Sequence, residues 1–149
     1  MHLSEPDVSV VLATINARYH HAAFGLRYLM ANMGRLAEHT EIMEFTISQS
    51  PEEVCNALLL VKPKVIGFGV YIWNTRQTQE VLLLLRAQAP EIKILLGGPE
   101  VSYEADEQTV VKLADCVVSG EADLVVEHVV QALLDGRVVP QELLSPEPV

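Results

Sequence analysis

Four short stretches of the chain carry side chains able to do chemistry. The first runs from Thr14 to His21 and sets an amide, a guanidinium, a phenol and two imidazoles in quick succession at Asn16, Arg18, Tyr19, His20 and His21. Neutral imidazole nitrogens are metal ligands, but adjacent histidines on a loop do not readily face one ion, and no third ligand stands near. Hydrogen bonding to a ligand or to solvent suits them better, with a plain loop role as the alternative. The second stretch, Tyr71-Ile72-Trp73-Asn74, follows Gly67 and Gly69 and combines flat apolar surface with one amide. The third, Gly97-Gly98-Pro99-Glu100 with Tyr103 close behind, stops an apolar run abruptly. Two residues without a β-carbon allow another body to approach the main chain closely, and the proline forbids further strand. A tight turn alone would also account for the pair. The fourth stretch is Ser119-Gly120-Glu121.

Several chemistries have no footing in these residues. No Gly-x-Gly-x-x-Gly follows the first apolar run and no Gly-Lys-Ser or Gly-Lys-Thr occurs, which removes dinucleotide and P-loop phosphate sites. A phosphoacceptor domain needs clustered carboxylates at the end of its first strand, and Thr14 to Arg18 contains none. No Gly-x-Ser-x-Gly elbow and no cysteine beside a histidine can be read from the loops. Cys55 and Cys116 each lie within apolar sequence and read as buried thiols of a reducing compartment.

The elements that must position the four stretches follow from hydrophobic patterning. Val8 to Ala13, Val65 to Val70 and Ile92 to Leu96 are nearly continuous aliphatic runs, the signature of strands covered on both faces. Glu41 to Ile47 reads as a shorter strand near an edge, and Cys116 to Val118 as a short fifth strand. Helices are expected from the periodic Leu26, Leu29, Met30 and Met33 up to Gly34, from Ser50-Pro51-Glu52-Glu53 to Pro63, from Asn74 to Ala89, from about Glu104 to Leu113, and through Val126, Val129, Val130 and Leu133 to Gly136. Asn74 with Gln77 is expected to cap the third of these. The run Val81 to Leu85 is greasier than one sheet-facing stripe requires, and its surplus is open either to ordinary packing or to a partner domain. Strand and helix alternate five times, which calls for a doubly wound, Rossmann-like or flavodoxin-like α/β/α sandwich. Its parallel sheet has five strands in the order 2-1-3-4-5 and its switch point between the first and third. The four stretches then gather at the carboxyl ends of the strands. Residues 1–137 form this domain, and 138–149, with Pro140, Pro146 and Pro148 and no periodicity, reads as a linker or cut end.

At 149 residues, half of them hydrophobic, the chain is the size of one domain with one compact core. A formal net charge of -10 repels phosphate backbones and anionic lipid, so neither nucleic acid nor membrane is expected as a partner. No apolar run approaches the roughly 20 residues of a bilayer span, and the start lacks a basic and apolar signal region. A cytoplasmic protein is expected.

Asn16-Ala17-Arg18-Tyr19-x-His21 before a helix with Leu26-Arg27-Tyr28-Leu29, then Gly67 to Asn74, Gly97-Gly98-Pro99-Glu100-Val101 and Ser119-Gly120-Glu121-Ala122-Asp123, resembles the amino-terminal cobalamin-binding domain of cobalamin-dependent radical SAM proteins. The resemblance covers residues 8 to 135. It implies a corrinoid held across the carboxyl ends of the strands, with its nucleotide tail descending beside the sheet. Gly97 and Gly98, with Gly69 and Gly120 in support, would admit the tail. Tyr71, Ile72, Trp73 and Tyr103 would carry the flat ring, and Asn16, Asn74 and Glu100 its amide fringe. Arg18, Tyr19, His21, Pro99 and Glu121 complete the implied site. The chain departs from the pattern of cobalamin mutases and methionine synthase in lacking Asp-x-His-x-x-Gly, so the resemblance implies a base-off corrinoid without a protein ligand to cobalt. Cys55 and Cys116 cannot form the Cys-x-x-x-Cys-x-x-Cys of a radical SAM barrel. The S-adenosylmethionine and 4Fe-4S cluster would therefore belong to a barrel elsewhere in a parent chain, and the isolated module would have no catalysis of its own. Two rivals stand beside this reading: an interaction or scaffold domain with an empty corrinoid site, and a small enzyme using the Asn16 to His21 loop and Glu100 as acid and base.

Overall fold

The computed structural model describes residues 8–16, 30–31, 33–70, 74–97, 112–119, 126–137 and 142–144. Six parallel strands form one sheet in the order β2-β1-β3-β4-β5-β6. They are β1 (Val10–Asn16), β2 (Thr40–Thr46), β3 (Val65–Gly69), β4 (Lys93–Gly97), β5 (Cys116–Ser119) and β6 (Glu142–Leu144). The first five take the expected order 2-1-3-4-5. The sixth is a finding against expectation: part of the stretch read as linker pairs with β5, Val118 opposite Leu143. Three residues are too few for a period, and their pairing is decided by the open edge of β5.

All seven residues of β1 are buried, because both faces of a central strand are covered. On one face Val11, Ala13 and Ile15 join Ile66, Phe68, Ile94 and Leu96 beneath two helices, α1 (Pro51–Val61) and α2 (Thr75–Gln88). On the other, Val10, Leu12, Val65, Leu95, Cys116 and Val118 meet Met33, Leu36 and a third helix, α3 (Val126–Leu134). β2 pairs only with β1 and lies at the sheet edge, as expected, although it matches β1 in length.

Helix ends follow their sequence signals. The Glu53 N–H donates to Ser50 Oγ at 3.1 Å, the Glu53 carboxylate reaches back to the Ser50 N–H, and Pro51 opens α1. Such a cap contributes about 1 kcal/mol. Gly136, at φ 72, closes α3 with its own N–H on Leu133 O and that of Arg137 on Ala132 O, a paired closure that needs a left-handed residue. Gly34 is also left-handed, at φ 58, as a helix terminator should be, and it opens the 3₁₀ helix Gly34–His39. The expected helix from Glu104 lies outside the described residues apart from its last turn. Of the greasy run in α2, Val81, Leu82 and Leu85 are core and only Leu83 is largely exposed, so packing absorbs most of the surplus.

Arg86 fastens α2 to the amino-terminal ends of the strands. Its Nε donates to Leu113 O at 2.8 Å, Nη1 to Ile92 O at 3.0 Å and Nη2 to Asp115 Oδ2 at 2.8 Å, while the same Asp115 oxygen accepts the Ile94 N–H at 2.7 Å. This anchors the end of the sheet opposite the candidate site.

Cys55 and Cys116 are free and buried. Burial, and secondarily the charge of Asp115, pushes the Cys116 thiol up to about 11, and burial with Glu52 raises Cys55. The fold thus favours the neutral thiol. The resulting stabilisation is complete below the unfolded thiol value of about 8.5 and is lost as pH rises toward the folded one. Melting curves of the wild type and Cys116→Ala should converge between about pH 8.5 and 11. At pH 8 iodoacetamide should label neither cysteine before the chain unfolds; labelling of the folded chain at the rate of a free thiol would contradict this.

Candidate functional site

The parallel arrangement brings one end of every strand to a common rim. β1, β3, β4 and β5 finish there at Asn16, Gly69, Gly97 and Ser119, and each of the four chemistry-bearing stretches starts or continues from one of these residues. β1 lies between β2 and β3, so the chain leaves it to one side for β2 and returns on the other for β3. This reversal is where open α/β sheets form a crevice.

Register sets out the wall of that crevice. Thr14 lies opposite Glu44 of β2 and opposite Gly69 of β3, which in turn lies opposite Gly97 of β4. Residues opposite one another in parallel strands share a face, and alternation assigns this row to the face of Leu12, Leu95, Val118 and α3. One step below, Leu12, Gly67 and Leu95 stand abreast. A β-carbon at Gly67 would lie 3.1 Å from Leu12 Cδ2 and 3.8 Å from Leu95 Cδ2, so there the protein itself takes up the space. Among the described residues, a β-carbon at Gly97 would meet the Val118 carbonyl oxygen at 3.7 Å, an ordinary contact. The upper row thus has more room at Gly97 than the lower row has at Gly67, among the described residues.

Thr14 is 0% exposed, and its Oγ1 has no hydrogen-bond partner. A buried hydroxyl left unpaired costs about 1–3 kcal/mol, and such a group calls for an explanation. Sequence reasoning placed Thr14 at the head of the first polar stretch and not within β1, and so did not single it out; a hydroxyl directly after an aliphatic run was the available signal.

Of the residues expected at the site, Asn16, Gly69, Asn74 and Gly97 are described, and all four stand at this rim. Asn16 is 3% exposed and its Nδ2 donates to Glu44 Oε1 at 2.9 Å. Asn74 differs from expectation twice. It makes no side-chain cap for α2, and at 0% exposure it does not stand out as a fringe. Its Nδ2 instead donates to Ile15 O and to Gly69 O, both at 3.1 Å, spanning β1 and β3 beyond their last paired residues, Thr14 and Gly69. The two strand carbonyls capture the amide because inside the fold they need donors more than an exposed helix start does. Arg18, Tyr19, His21, Tyr71, Ile72, Trp73, Gly98, Pro99, Glu100, Tyr103, Gly120 and Glu121 lie outside the described residues. Among the described residues no three His, Cys, Asp or Glu side chains gather to hold a metal ion, and no helix is long and apolar enough to cross a membrane.

Chemically, the described rim offers two neighbouring positions without side chains, Gly69 and Gly97, one unpaired buried hydroxyl beside them and amides at its edge. It offers no carboxylate at the ends of β1 and β3, where a phosphoacceptor would stand.

Comparisons with known proteins agree with this geometry. A family model described as the B12 binding domain matches residues 9–130. The fold is similar to that of a cobalamin-binding protein from Desulfitobacterium hafniense DCB-2, at 19% identity and a TM-score of 0.61, over 85% of this chain and 59% of that one. It is also similar to the non-phosphorylated receiver domain of the stress response regulator RcsB from Escherichia coli, at 12% identity and a TM-score of 0.59, over 93% of this chain and 98% of that one. RcsB of Salmonella typhimurium matches at 8% identity with a TM-score of 0.59, over 90% of this chain and 63% of that one. The chain thus spans well under two thirds of the length of the cobalamin-binding protein. No curated protein matches the sequence.

Proposed function

The chain belongs to the B12-binding domain family, and from that premise we propose that it holds a corrinoid at the carboxyl ends of its strands, with the nucleotide tail against the face where Thr14, Gly69 and Gly97 stand abreast. The observation that carries this reading is that row: two positions without β-carbons beside a buried hydroxyl that no protein group satisfies. The residues fit the cofactor in that its tail is narrow and contains polar heteroatoms. Asn16, Gly69 and Gly97 would hold it from the described strands. Gly98, Pro99, Glu100, Tyr103, Tyr71, Ile72, Trp73, Arg18, Tyr19, His21, Gly120 and Glu121 would do so from the stretches that follow, and Asn74 would act from behind by fixing β1 to β3. When bound, a corrinoid supplies a cobalt centre able to carry an alkyl group or exchange electrons. This chain's own part is to bind, orient and shield.

The absence of Asp-x-His-x-x-Gly supports a base-off state without a protein imidazole on cobalt. The four motif stretches, in their order, support service to a radical SAM barrel that carries S-adenosylmethionine and a 4Fe-4S cluster in a parent chain. β6 adds to this, since a strand parallel to β5 directs the chain at Leu144 toward the rim where the corrinoid would lie. On this reading the isolated module catalyses nothing.

Hydroxocobalamin added to the folded chain should co-elute with it on a sizing column at about one per chain, its absorption changed toward the base-off form. Elution of a folded chain free of corrinoid would overturn the reading and favour an interaction domain with an empty site.

A further inference from the structure

The end of the sheet opposite the rim has a chemistry of its own. All the lysines of the chain, Lys62, Lys64, Lys93 and Lys112, are exposed and collect where β3, β4 and β5 begin. Lys62 caps α1, Lys64 immediately precedes β3, Lys93 opens β4 with its N–H on Lys64 O at 2.9 Å, and Lys112 lies just before β5. Among the described residues no ion pair takes up any of them. Of the described acids at the same strand starts, Asp115 is engaged by Arg86 and the Ile94 N–H, which leaves Glu91. A chain of net charge -10 thus turns a locally basic end to solvent.

Within this cluster lies a cleft of about 360 Å³ between the end of α1 and the start of β4, lined by Leu59, Pro63 and Ile92 together with Lys62, Lys64 and Glu91. Leu60, in the same last turn of α1, is 82% exposed. Lys62 has φ 57 and is the one non-glycine residue at positive φ among the described residues. Glycine takes that conformation freely, whereas an L side chain is strained in it. Strain kept by a residue that lines a cleft is a sign of use.

We propose that this end of the sheet is a docking surface for an acidic segment of a partner protein, which seats an aliphatic side chain among Leu59, Pro63 and Ile92 and sets its carboxylates on Lys62 and Lys64. The inference is independent of the corrinoid reading, because the surface lies at the opposite end of the strands. Charge selects the occupant. A second copy related by a two-fold axis would bring lysine against lysine. A nucleic acid or an anionic membrane would extend past the cluster into the field of an acidic chain and be repelled there. A short acidic segment meets the lysines alone, and the apolar residues between them suit a side chain and give a phosphate nothing to bond.

The test pans a phage-displayed library of random peptides on the immobilised full chain and titrates the selected peptide by fluorescence anisotropy. Selected sequences should set Asp or Glu around Leu, Ile or Val. Lys64→Glu should weaken the peptide about tenfold and Lys62→Gly about threefold. Lys62→Gly should nevertheless melt no lower than wild type, because glycine relieves the left-handed backbone, so its lost affinity cannot be laid to unfolding. Raising the salt from about 50 to 300 mM should weaken binding severalfold. Arg76→Glu reverses a side chain that is 90% exposed at the start of α2 and should bind as wild type does. Selection of no peptide or of peptides without acids, affinity unchanged in both lysine variants, or an equal loss in Arg76→Glu would overturn the proposal. So would binding of duplex DNA or of phosphatidylserine vesicles as tight as that of the selected peptide, since either would make the end a general polyanion surface.

Discussion

Gly97→Val lowers corrinoid affinity by at least about a hundredfold while the fold melts nearly as before. The two halves of this result rest on different neighbours. Toward the protein, a β-carbon at residue 97 meets the Val118 carbonyl oxygen at 3.7 Å and nothing nearer among the described residues. Valine also suits an extended position in a strand. Toward the ligand, the added isopropyl group would stand beside Gly69, where the proposed tail passes. Forcing extra carbons into an occupied space costs about 1–3 kcal/mol or more, and each 1.4 kcal/mol is tenfold in affinity. Gly97→Ala should therefore lose about tenfold and Gly97→Val a hundredfold or more. Gly67→Ala is the matched contrast, since its β-carbon would press on Leu12 Cδ2 at 3.1 Å, a contact within the protein's own core and not with a ligand. Titration with hydroxocobalamin beside thermal melts separates the cases. Undiminished binding by Gly97→Val would mean that the tail does not pass this point.

The same pair of glycines marks what local sequence could and could not reveal. That β4 stops at Gly97 is written in an aliphatic run meeting two glycines and a proline. That Gly97, Gly69 and Thr14 stand abreast is a matter of register between strands far apart in the chain, which no local pattern encodes. β1 was legible in the aliphatic run Val8 to Ala13, but the strand continues through Thr14, Ile15 and Asn16, read as the head of a loop, because β2 pairs with all three and they are buried. The layers follow from helical stripes alternating with such runs. β6 was not legible, because three residues among prolines carry no period and gain their structure from the edge of β5. Asn74 was read as a cap on sound local grounds, before a turn of helix. Its partners, Ile15 O and Gly69 O, become available only once β1 and β3 lie side by side. In this site glycines announce themselves locally, whereas polar side chains declare their work only through tertiary partners.

Asn74→Asp gives the largest change in stability, and its dependence on pH identifies the cause. The native amide is 0% exposed and directs its nitrogen at two carbonyl oxygens, each 3.1 Å away. Aspartate of the same shape would set a carboxylate oxygen against them at neutral pH. The loss of two buried hydrogen bonds, with a charge that nothing at those carbonyls can solvate, should cost about 3–5 kcal/mol. A protonated aspartate can still donate to one of the carbonyls, so the fold holds its carboxyl above the unfolded value of about 3.9. Relative to wild type, the variant is least impaired below that value. It loses stability as pH rises from there to the raised folded value and stays at its lowest above it. Urea denaturation of both proteins from pH 4 to 8 should show the difference widening with pH. Asn74→Ala, which removes the donors and adds no charge, should be weaker by a constant amount across the same range. A pH-independent penalty in Asn74→Asp would mean that the amide does not hold β1 and β3 together at the mouth of the crevice.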